Sequence, residues 1–230
     1  MSDAENNKPE ENKSVDKSRK LTAAEQKRVD AFAVTEAKLK EQGYTRKDLT
    51  ISITKANIIG PLLVLPIMVV FCAIFYAVNG LAPLKELKES NSPWTGLFLI
   101  LACLSMIPLA VIHELIHGLS WGIFAKNHMK DIEYGFIVQQ ITPYCYCRSP
   151  LSKGAYIFGS MMPMTILGGG ICIVGIMIAN PIVMVVGLIQ LVGGAGDILI
   201  TSMLIRYNGK GKDSILMDHP TDCGLIVFEK

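Results

Sequence analysis

Apolar positions in this chain gather into four long blocks, covering residues 56–82, 94–125, 155–179 and 182–205. Each exceeds the roughly 20 residues that a helix needs to cross a bilayer. The pattern predicts an α-helical polytopic membrane protein with four transmembrane helices. Asn180-Pro181 is a turn signal, so the last two helices are expected to form a tight hairpin. Ahead of the first block, residues 1–20 are polar and read as a disordered cytoplasmic tail. In residues 21–55, Leu21, Ala24, Val29, Phe32, Ala33 and Leu39 recur at helical spacing, and Gly43 should end that amphipathic helix. Residues 48–55 then alternate like a juxtamembrane strand. In the loop between the second and third blocks, Ile132, Tyr134, Phe136 and Val138 alternate, and residues 141–146 resemble a second strand. A short cytoplasmic β-hairpin is expected there. The chain thus divides into 1–20, 21–55, a membrane core at 56–205 and a cytoplasmic C-terminal segment at 206–230.

Charge sharpens this picture. Only 18% of the 230 residues are charged, against about 25% in soluble domains. Twelve of the 22 lysines and arginines precede the first block, four fall at residues 126–153 and four follow the last block. The two remaining loops hold only Lys85 and Lys88. The positive-inside rule therefore puts both termini and the central loop in the cytoplasm, with the protein in the cell membrane. No basic, aromatic-rich segment suggests nucleic acid. The bilayer and a membrane protein or peptide substrate are the expected partners. Six scattered cysteines do not make a disulfide framework, and Cys145-x-Cys147 alone is a weak sign of a metal or redox site.

One apolar block carries an anomaly, the run VIHELIHGLSWG. Its HELIH is an H-E-x-x-H motif at His113, Glu114 and His117. On a helix, i and i+4 share a face, so the two imidazoles can take adjacent corners of a zinc site, with Glu114 placed as general base. Ionisable groups inside a membrane cost roughly 2.5–3.5 kcal/mol each on insertion scales and are functional-site candidates by default. Zinc binding, worth about 10–16 kcal/mol even in small peptides, could offset that cost. A catalytic zinc needs a third protein ligand. Asp197, the charged residue within the fourth block, is the best candidate. His117 precedes Lys126 by nine residues and Asp197 precedes Arg206 by nine, so each lies roughly 13 Å from its cytoplasmic helix end. Gly193, Gly194 and Gly196 would let the two helices approach. Asp218 and His219 are the rival ligands. Pro108 is expected to kink the second helix, and Pro163 marks a break in the third.

At HELIHGL, PYCYC, Pro163, GDI and DHPTDCG, the chain resembles a family of bacterial membrane proteins described as zincin peptidases and related in pattern to site-2 proteases. The resemblance spans roughly residues 43–224. It implies a four-helix membrane core with zinc held by His113, His117 and Asp197. Site-2 proteases usually carry the third ligand as an aspartate followed by glycine; here glycine precedes Asp197. The expectation is a zinc-dependent, membrane-embedded peptidase with Glu114 as its base. The alternative is a non-catalytic, zinc-stabilised membrane adaptor. A transporter is a third class, but four spans without an inverted repeat argue against it.

Overall fold

A computed structural model describes residues 22–137, 142–209 and 213–230. The expected disordered tail, the tip of the expected hairpin and most of the linker after the last block lie outside the described residues.

Helix α1 (Ala23–Glu41) starts at a capping box. The Glu25 amide donates to the Thr22 hydroxyl, and the Thr22 amide donates to the Glu25 carboxylate. Its apolar face buries Phe32 and Leu39 against Met217, Ile226 and Phe228. Gly43, at φ +87°, then turns the chain into β1 (Thr45–Thr50). This strand sits earlier than its expected position at 48–55. Ser52 is the reason: its hydroxyl accepts from the Lys55 amide and caps α2 (Ile53–Asn79), drawing residues 53–55 into the helix.

Three further helices lead to the central hairpin. The short helix α3 (Ala82–Glu89) lies between the first two blocks, followed by α4 (Pro93–Leu104) and α5 (Met106–Gly122). The break between α4 and α5 falls at Ser105, one turn before Pro108. Proline lacks the N–H that would have bonded the Leu104 carbonyl, and the Ser105 hydroxyl bonds back to the Ala102 carbonyl at 2.7 Å. The hairpin of β2 (Ile132–Ile137) and β3 (Thr142–Cys147) is antiparallel, with Tyr134 opposite Cys145.

Beyond it, β4 (Leu151–Ser152) leads into α6 (Lys153–Pro163), a π-helical segment at Met164–Gly169 and α7 (Gly170–Met177). Asn180 makes the expected turn by accepting from the Ile182 and Val183 amides, which starts α8 (Pro181–Gly193). α9 (Ala195–Arg206) follows at a bend of 46°. Three helical stretches, Ile53–Asn79, Pro93–Gly122 and Lys153–Met177, are long and apolar enough to cross a membrane, and the bent α8–α9 pair makes a fourth if it is one span. Exposed Leu62, Leu65, Val69, Leu99 and Ile100 on α2 and α4 suit a hydrocarbon surrounding.

The last residues form β5 (Ser214–Asp218) and β6 (Gly224–Glu229), which sequence periodicity did not reveal. The sheet order is β1-β6-β5-β4, with each neighbour antiparallel. β1 precedes the first membrane-length helix and β6 follows the last, so both ends of the helical region meet in one sheet. That sheet is no appendage. Leu216, Leu225 and Val227 share a buried cluster with Trp121, Tyr156 and Leu204 from the helices.

The β5–β6 connection closes on Gly224, at φ +142°, where an added Cβ would run into the Leu49 carbonyl. Gly224→Ala is expected to destabilise the protein by about 2–4 kcal/mol, read as a lower thermal midpoint in detergent. An unchanged midpoint would mean that the β1–β6 closure does not support the fold.

Candidate metal centre

Along α5, His113, His117 and Trp121 recur every four residues and form one buried stripe. Beside this stripe lies Gly118, where the Tyr134 hydroxyl and Ile132 of the hairpin lie so close that a Cβ would collide. The hairpin therefore packs directly on the helix that carries the motif.

Asp197 arrives from the other side, in the first turn of α9. The bend before it depends on Gly194, where a Cβ would stand 2.8 Å from the Met164 Cβ in the π-helical segment. Gly193 and Gly196 have nothing within 4 Å of an added Cβ. The close approach expected of all three glycines thus rests on Gly194, and it is made to the third helical stretch rather than to α5. A helix's first turn carries partial positive charge, which suits a carboxylate.

The resulting geometry is specific. His113 Nε2 lies 3.2 Å from Asp197 Oδ2, and His117 Nε2 lies 3.3 Å from Asp197 Oδ1. One ligand atom from each of the three residues falls within 4.8 Å of the others. Four ligands around a zinc ion at about 2.0–2.2 Å stand roughly 3.4 Å apart, so the spacing fits. The tautomer fits as well. His117 Nδ1 is 2.9 Å from the Gly159 carbonyl, which can only accept, so Nδ1 carries a proton. In the neutral ring, Nε2 then offers a lone pair toward Asp197. That pairing of acceptors is relieved by a shared cation, either a metal ion or a proton on Nε2 that makes the contact an ion pair. A His₂–carboxylate set leaves a fourth position open, the arrangement of catalytic rather than structural zinc.

Glu114 is half-buried beside this cluster, with the Cys145 backbone amide of β3 in hydrogen-bonding reach of its carboxylate. The rival ligands are engaged elsewhere. Asp218 accepts from the Tyr156 hydroxyl at 2.6 Å, and His219 Nδ1 accepts from the Thr221 and Asp222 amides within the β5–β6 turn. Among the described residues, only His113, His117 and Asp197 converge as a possible metal site. Burial pushes the Cys147 thiol up to about 12 and the Cys145 thiol up further. Both stay protonated at neutral pH, which disfavours a second metal or a redox pair there.

Three residues of this neighbourhood escaped the sequence reading: Trp121, Tyr156 and Gly159. The indole of Trp121 stacks on the His117 ring with centroids 4.9 Å apart and planes within 14°. Its place four residues after His117 was a usable signal. Gly159 had none, because its carbonyl matters only once α6 lies against α5.

A family model described as "Putative zincin peptidase" matches residues 106–210. The match runs from the start of α5 to just beyond α9, so it holds His113, Glu114, His117 and Asp197 and leaves out α1, α2, β5 and β6. It supports a zinc metallopeptidase. No curated protein and no solved structure gives a significant match to the chain.

Detergent-purified protein is expected to carry about one zinc per chain by elemental analysis, with His117→Ala and Asp197→Ala both losing it. Zinc kept by Asp197→Ala would move the third ligand to another residue.

Proposed function

We propose that this protein is a zinc-dependent, membrane-embedded peptidase that cuts membrane-associated or transmembrane substrates, in the manner of site-2 proteases. The observation that carries this reading is the convergence of His113, His117 and Asp197 beside Glu114. Zinc, when bound, polarises the scissile carbonyl and makes water a nucleophile near neutral pH. Glu114 takes the proton from the attacking water and delivers it to the departing amine. Its carboxylate sits next to β3, so an extended substrate segment laid along that strand would pass the base. Gly159 holds His117 in the tautomer that leaves Nε2 free for the metal. The two histidines are buried, which strengthens their electrostatic contacts with Asp197.

Four spans with both termini in the cytoplasm accompany this reading. The shared β1–β6 sheet supports an even number of crossings, with the bent α8–α9 pair taken as one span. The distribution of lysine and arginine supplies the direction. Water then reaches the centre from the cytoplasmic side, where the hairpin and the sheet lie.

The test is Glu114→Gln, in proteoliposomes presenting membrane peptides and in cells searched for uncut substrates. Hydrolysis should fall by about 10²–10⁴-fold with the zinc content unchanged, and a substrate should accumulate. Unaltered cleavage would remove Glu114 from the chemistry. A wild type that holds zinc and cuts nothing in either setting would favour the adaptor.

A further inference from the structure

Asp218 lies outside the stretch matched by the zincin family, on the last strand but one, yet it is joined to the metal centre by an unbroken set of buried contacts. Its Oδ1 accepts from the Tyr156 hydroxyl at 2.6 Å, and the Cys147 amide stands 3.5 Å from its Oδ2. The Tyr156 backbone carbonyl accepts from the Trp121 indole N–H at 3.2 Å, and the two rings lie 5.6 Å apart. Trp121 stacks on His117, whose Nδ1–H is received by the Gly159 carbonyl. Tyr156, Trp121, Gly159 and His117 are all buried.

We infer that Asp218 is a positioning residue of the metal centre, acting on His117 through Tyr156 and Trp121. This rests on the zinc centre proposed above.

The geometry explains why a hydrogen-bond acceptor is needed so far from the metal. α6 grips α5 through two of its own carbonyls, those of Tyr156 and Gly159, about one turn apart. They receive Trp121 and His117, which are one turn apart on α5. The grip works only at one height and one rotation of α6. A Cβ on Gly159 would run into the Trp121 indole, so the two helices touch there without slack. α6 is tied to the sheet at its start through β4 and, one turn on, by the Tyr156 hydroxyl, bonded to Asp218 on a strand paired with β4 on one side and β6 on the other. A charge-assisted bond of this length is stronger than a neutral one and less tolerant of displacement. If it is lost, α6 can shift, the Gly159 carbonyl leaves Nδ1, and the His117 ring gains freedom to rotate. Residues that orient a metal-bound histidine from behind typically change metal affinity by 10–100-fold.

The experiment uses the full chain in detergent, stripped of metal and reloaded. Zinc affinity is read by competition with a chromophoric chelator, and the cobalt(II) absorption spectrum reports the ligand geometry. Tyr156→Phe and Asp218→Ala should each weaken zinc about tenfold or more and alter the cobalt bands. The double variant should be no weaker than the worse single variant, because both break one path. Asp218→Asn, which keeps an oxygen acceptor for the Tyr156 hydroxyl, should recover most of the affinity. Where Asp218→Ala does not fold, Tyr156→Phe and Trp121→Phe carry the same comparison. A role confined to stability predicts a lower thermal midpoint with zinc affinity within twofold of wild type and an unchanged cobalt spectrum, and that result overturns the inference. Additive losses in the double variant also overturn it. If wild type binds zinc while the variants behave like it, only this inference falls; if wild type binds none, the zinc centre falls with it.

Discussion

Asp197 stands between two imidazoles, with each carboxylate oxygen directed at a different ring. In an apolar helical bundle such a group cannot stay there uncompensated, because removing a lone carboxylate from water costs several kcal/mol. The two histidines compensate it in the described geometry, and the zinc proposed above would join them, so none of the three side chains is well placed alone. Much of the fold can be understood as meeting this requirement. The bend at Gly194 brings the first turn of α9 toward α5. Met164, in the π-helical stretch after Pro163, occupies the space that a Cβ on Gly194 would need. A wider helical turn next to a proline is a local irregularity, and such irregularities concentrate where a helix must serve a site.

The centre is held from two sides. The hairpin presses on Gly118 of α5, next to the motif, and brings a strand to Glu114. On the other flank, α6 places Gly159 and Tyr156 against His117 and Trp121. The hairpin meets Gly118 through the Tyr134 and Ile132 side chains, but the polar contacts to Glu114, His117 and Trp121 each use a main-chain amide or carbonyl. Main-chain groups on regular elements have little freedom, so a ligand they hold is already oriented before the metal arrives. That is the condition under which binding energy is not spent on ordering the site.

How much of this could be read from the sequence varied with distance along the chain. The HELIH pairing was legible because helical geometry alone puts residues four apart on one face. Asp197 was legible through a cruder argument, its equal count to a basic residue at the helix end, and the structure does bring it to the histidines. The break in the second apolar block was foreseen at Pro108 and lies at Ser105, because a proline disturbs the carbonyl four residues before it rather than its own position. The C-terminal strands were not legible. Their partners are β1, almost the whole chain away, and β4, two residues long, and neither leaves a periodic trace. Asp218 was considered as a ligand for its chemistry alone. Its bond to Tyr156 spans 62 positions and could be seen only once the helices and the sheet were packed together.

The pairing of β1 with β6 also has a consequence in time. About 170 residues separate the two strands, and at about 5–20 residues per second of synthesis the first waits roughly 10–35 s for its partner. Meanwhile the entire helical region must be made. For that interval β1 has an open edge, and α1 has no Ile226 or Phe228 to pack against. The strand that carries Asp218 is made late as well. A nascent chain therefore has its histidines and Asp197 before β5 and β6 exist, and on the reading proposed above the metal centre gains the support of Asp218 only after those strands pair.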